Sequence, residues 1–123
     1  MARLGRAGLV AALLGASVVL SARGAGTATS QARTSCRFVT HALALQTRSE
    51  APGLSATQRD VLRGQAMSEL LRGSAAAARA TSSDGSWNAL QTTIEEAERV
   101  PLTDLAPALR RLCKVADSTT PYL

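Results

Sequence analysis

Aromatic side chains are nearly missing from this chain of 123 residues: Phe38, Trp87 and Tyr122 are all there is. Surfaces that bind single-stranded nucleic acid interleave several aromatic rings with cations, so nucleic acid is not expected as a partner. Histidine occurs once, at His41, and cysteine twice. That excludes a histidine-rich metal protein. The lack of a CxxC pair removes a dithiol redox enzyme. The chain also lacks a glycine-rich phosphate loop, a HExxH pair and a GxSxG elbow. Charged residues make up only 19%, too few for a charged disordered tail. The length allows one domain at most. A non-enzymatic protein without a cofactor or metal is the expectation.

What is present begins with a targeting pattern. Arg3 and Arg6 precede an uncharged apolar run from Leu9 to Leu20. Small residues follow, ending in Gly26-Thr27-Ala28. A basic start, an apolar segment of this length and a small-residue exit are the three parts of a secretory signal peptide. Twelve residues of helix reach about 18 Å, whereas a bilayer core of roughly 30 Å needs about 20 apolar residues. The run is thus short for an uncleaved anchor. Cleavage is expected after Ala28, with small residues at both required positions. Cuts after Ala22 or Ala25 would put Leu20 or Arg23 at the upstream small position. The expected division is a signal peptide over residues 1–28 and a helical domain over residues 29–123.

Cleavage alters the charge argument. The whole chain carries +5, from 14 basic and nine acidic residues. Arg3, Arg6 and Arg23 leave with the signal, while every acidic residue lies beyond it. The mature chain is close to balanced, at +2. The precursor's basicity is therefore poor evidence for nucleic-acid binding.

Cys36 and Cys113 lie near the two ends of the mature domain. In an oxidising compartment such a pair is normally bridged. A disulfide between them is expected, since two isolated cysteines and one histidine make a poor metal site.

Between the cysteines the periodicity is helical. Residues 29–34 are small and polar and read as a loose tail. Cys36, Val39 and Leu43 begin a first apolar stripe, widened by Phe38, Ala42 and Leu45. Pro52-Gly53 marks a turn. Ser55 and Gln58 have the spacing of a capping box. The helix they open places Val61, Leu62, Ala66, Leu70, Ala77 and Ala78 on its apolar side, with Met67 and Leu71 beside it. Thr81 to Ser86 is a loop. Trp87, Leu90, Ile94 and Ala97 form a third stripe, closed by Val100-Pro101. A fourth helix starts between Thr103 and Ala106, because Pro107 is tolerated only in the first turn. Leu105, Leu109, Leu112 and Ala116 are its stripe, with Cys113 at the border, and residues 117–123 look frayed. No segment alternates like a strand. The fold class is all-α: a bundle of about four short helices stapled by one disulfide.

Candidate contact residues are few. Trp87 reads either as the plug of one end of the core or as a ligand or partner contact. His41 lies at the polar edge of its stripe. It is a candidate axial ligand to haem or another metal, with Met67 as a candidate second ligand, and so little aromatic surface suits a haem pocket poorly. Arg59, Arg63, Arg72 and Arg79, with Arg110, Arg111 and Lys114, give a mild basic surface that suits weak contact with anionic lipid or cell-wall polymer. The function expected is a structural or interaction role for an exported protein of the cell envelope or extracellular space. The alternative is a carrier of a small apolar ligand or haem between the helices.

Overall fold

A computed structural model describes residues 2–118, with side chains from Gly26 onward. The described residues form four α-helices: α1 (Ala2–Ser49), α2 (Ala56–Ser83), α3 (Asn88–Glu95) and α4 (Leu102–Ser118). Short 3-10 turns lie on either side of α3, at Gly85–Trp87 and Glu96–Glu98. No strand occurs among the described residues.

The longest departure from the sequence reading is α1. It is continuous to Ser49, so residues 29–34 are helix and not a loose tail. Local composition conceals the reason. Ala28 and Ala32 are fully buried and begin the core. Gln31 accepts from Arg79 Nε at 3.1 Å, and Arg33 Nε donates to the carbonyl of Ala116 at 3.0 Å. Small side chains here mean close approach to α2 and not looseness. The apolar run and most of the exit sequence lie before Gly26, so their side chains fall outside the described residues. The expected cut after Ala28 falls at a residue buried in the core.

The turn into α2 follows the chemistry expected of it. Gly53 takes φ +85°, a conformation that glycine adopts at little cost. Ser55 Oγ then accepts from the Gln58 N–H at 3.1 Å, and Gln58 Oε1 accepts from the Ser55 N–H at 2.8 Å. Both bonds of the capping box are present. At the far end of α2, Asp84 caps the next turn by accepting from the Ser86 N–H at 3.0 Å. Hydrogen bonds from Ser86 hold the Asp84 carboxyl below its ordinary pKa.

α1 and α2 form a close antiparallel hairpin. Ala28, Ala32, Ser35, Val39 and Ala42 of α1 and Ala66, Leu70, Gly73, Ala77 and Ala80 of α2 are buried. Ser35 Oγ, fully buried, donates to the carbonyl of Gly73 at 2.7 Å. A methyl at Gly73 would lie 3.2 Å from the Ser35 carbonyl and 3.3 Å from Phe38 Cβ. The backbones approach here because neither residue has bulk. Val61, placed on the apolar side by periodicity, and Leu71, placed beside it, are instead 53% and 57% exposed. The stripe of α2 is narrower and turned toward its small residues.

α4 packs antiparallel to α1 on the other side, joined by the Cys36–Cys113 disulfide with Cα atoms 5.4 Å apart. Its buried residues are Leu102, Ala106, Leu109, Cys113 and Ala116, while Leu105 and Leu112 are only partly buried. Cys113 is thus central to the stripe, not at its border, because the bridge turns that face toward α1. The helix also begins earlier than expected, at Leu102. Pro107 therefore sits in the second turn, where it has no N–H for the Thr103 carbonyl. Trp87, Leu90, Ile94 and Ala97 are all buried, as their spacing predicts. They close the core from the α3 side.

Candidate functional site

The expected contact residues do not converge. His41 and Met67 line different clefts. His41 borders an open cleft of about 660 Å³ between α1 and α2, with Leu45, Arg48, Val61, Gly64 and Arg72 among its walls. Met67 borders another of about 400 Å³, with Gln46, Arg63, Val100 and Leu102. At about 100° per helical residue, Met67 and Glu69 flank the buried stripe of α2 from opposite sides. A ligand held between His41 and Met67 would have to pass through that stripe. Trp87 is 9% exposed and belongs to the core.

His41 has a defined environment all the same. Its Nδ1 lies 3.2 Å from Glu69 Oε2, and Arg72 Nη1 lies 3.1 Å from Glu69 Oε1. The Glu69 side chain is 16% exposed, against 59% for His41 and 65% for Arg72. One half-buried carboxylate thus ties together two exposed basic groups from two helices. The remaining imidazole nitrogen, Nε2, can meet solvent or a partner. No group of three or more His, Cys, Asp or Glu able to hold a metal ion occurs among the described residues.

The clearest surface feature is a concentration of cations on α1. α1 contains no acidic residue; the first in the chain is Glu50. Arg33, Arg37, His41 and Arg48 fall within an arc of about 80° on α1 at helical spacing. That arc is opposite the buried stripe. Arg37, His41 and Arg48 are exposed. α4 adds Arg110, which lines the seam with Thr40, Ala44 and Thr47 of α1. Lys114 lies one turn further along the same edge of α4. The acidic residues Glu95, Glu96 and Glu98 belong to α3 and the turn after it. α3 packs on α2 and α4, with no comparable contact to α1. Glu95, Glu96 and Glu98 therefore lie away from the cations of α1, and Glu69 is the carboxylate that stands among them.

The basic surface read from sequence combined arginines that the fold separates. Arg63 lies in the cleft with Met67, whereas Arg72 lies in the cleft with His41. The residues missed were Arg33, Arg37 and Arg48. Their four- and eleven-residue spacing marks one helix face. Treating residues 29–34 as a tail removed Arg33 from the helix and hid the pattern. No protein-family model matches the chain, and no curated protein or solved structure matches it.

Proposed function

We propose that the chain is an exported helical module with a non-enzymatic interaction role at the cell envelope or outside it. The observation that most supports this reading is the Cys36–Cys113 disulfide, which links the first and last helices of the bundle. Such bridges persist in oxidising compartments and are rare in reducing ones. The basic, apolar and small segments of residues 1–28 are in the order an export signal requires. Among the described residues no helix is long and apolar enough to cross a membrane. The clustered cations of α1 and α4 supply a surface for a partner.

Intact-mass analysis of the protein recovered from the medium and envelope fraction tests the reading. The expected product has a new N-terminus between Arg23 and Thr29 and lacks the two thiol hydrogens of Cys36 and Cys113. A full-length chain found only in the cytoplasm, with both thiols open to labelling, would overturn it.

A further inference from the structure

We propose that the face of the bundle led by α1 docks on an anionic phospholipid bilayer. This deepens the envelope reading above and rests on it. Arg37 and Arg48 of α1 stand at the centre of the face, Arg110 and Lys114 of α4 on one flank, and Arg72 of α2 on the other. None of Arg37, Arg48, Arg110 and Lys114 forms an ion pair among the described residues. The carboxylate within the face, Glu69, is engaged by His41 and Arg72. Glu50 and Asp117 stand at its two ends, and Glu50 accepts from Thr103 Oγ1 at 3.1 Å. Arg37 donates to Thr34 Oγ1 at 3.1 Å, but like charges gathered without a counter-charge repel one another. They gain energy only when an opposed negative surface covers them.

Geometry and composition select the kind of surface. Three helices side by side, α4, α1 and α2, spread the cations over two dimensions and do not line them along a track. A planar sheet of phosphodiester headgroups matches such an array. Phe38, the aromatic residue of α1, lies against Gly73, so the face offers no stacking platform for bases. The apolar run Leu9 to Leu20 belongs to the same helix, which brings these cations beside a bilayer during export. Each Lys or Arg held near an anionic membrane adds to attraction, within about 10 Å at ordinary ionic strength.

Vesicle co-sedimentation of the full chain tests the proposal. Pure phosphatidylcholine vesicles measure binding through the apolar run, and vesicles containing phosphatidylglycerol measure the added electrostatic part. Wild type should partition more strongly onto phosphatidylglycerol vesicles, and the gain should vanish when salt shortens the Debye length to about 3 Å. Replacing Arg37, Arg48 and Arg110 together by Gln should reduce that gain roughly tenfold or more. Arg59→Gln, Arg63→Gln and Arg99→Gln together, away from the face, should leave it within about twofold. Circular dichroism and thiol labelling verify folding. If the triple variant fails to fold, Arg48→Gln alone should still lower the gain a few-fold.

Equal loss in the two triple variants, or no loss in the first, overturns the proposal. So does binding to soluble polyphosphate with none to phosphatidylglycerol vesicles, which would assign the face to an anionic polymer. Export is read separately by mass. A chain that is exported but indifferent to anionic lipid rejects the docking face alone.

Discussion

Leu109 has no solvent exposure and faces the core from the middle of α4. The core it belongs to is rich in alanines, which have few atoms with which to fill a gap. Leu109→Ala should therefore cost about 2–5 kcal/mol, from lost burial and the cavity left behind. Glu96, paired with Arg99 at 3.4 Å on the surface, serves as the control. Its replacement by Ala should change stability by less than about 0.5 kcal/mol. Urea melts of both variants check this, and equal small effects would mean that α4 docks weakly. Asp84 gives a second residue-level prediction. Its folded-state pKa is lowered by hydrogen bonds from Ser86. A lowered folded-state pKa contributes stability above the ordinary carboxylate range, and that contribution is lost as pH falls through the folded value. Melts taken from neutral to acid pH should show this loss in wild type. Asp84→Asn, which cannot titrate, should remove that component and leave the acid response of the other carboxylates.

Between elements, the glycines of α2 distinguish two kinds of constraint. Gly64 has open space where a Cβ would project, whereas Gly73 faces the Ser35 carbonyl and Phe38. Gly64→Ala should stabilise α2 by roughly 0.5–1 kcal/mol, because alanine gives up less backbone freedom. Gly73→Leu should destabilise by about 1–3 kcal/mol, since its bulk must push α1 and α2 apart. Thermal melts of the two variants should move in opposite directions. A stabilised Gly73→Leu would show that the helices separate without penalty. The Ser35 hydrogen bond to Gly73 would then be incidental to the hairpin.

On the scale of the whole molecule, the bridge between α1 and α4 closes a loop with a sequence separation of 77. The chain-entropy model assigns such a loop about 4.5 kcal/mol, and removal of native disulfides from small domains typically costs about 2–5 kcal/mol. Cys36→Ser should lower stability within that range, as should Cys113→Ser. The double variant should be about as stable as either single one, because both changes remove the same bond. Denaturant unfolding of the oxidised and reduced wild type provides the same comparison without mutation. A loss under about 1 kcal/mol on reduction would mean that the helical packing alone holds the two ends.

Much of this architecture was written in local chemistry. Ser55 and Gln58 determined where α2 starts, because a capping box needs only residues three apart. Pro52-Gly53 determined the turn before it, and Trp87, Leu90, Ile94 and Ala97 determined the buried face around α3. The cysteine count, with their positions near opposite ends of the domain, determined the staple. Tertiary structure decided what small residues would do. Ala28, Ala32 and Gly73 carry little hydrophobic signal, yet they are buried because their lack of bulk lets α1 and α2 meet closely. It also decided that Val61 and Leu71 face outward, and that Cys113 lies at the centre of the α4 stripe. The basic face was hidden for the same reason. Arg37 and Arg48 lie on one helix, while Arg110 and Lys114 come from the far end of the sequence. Only the antiparallel docking of α4 on α1 places their charges on one surface, because electrostatic neighbours are set by distance in space and not along the chain.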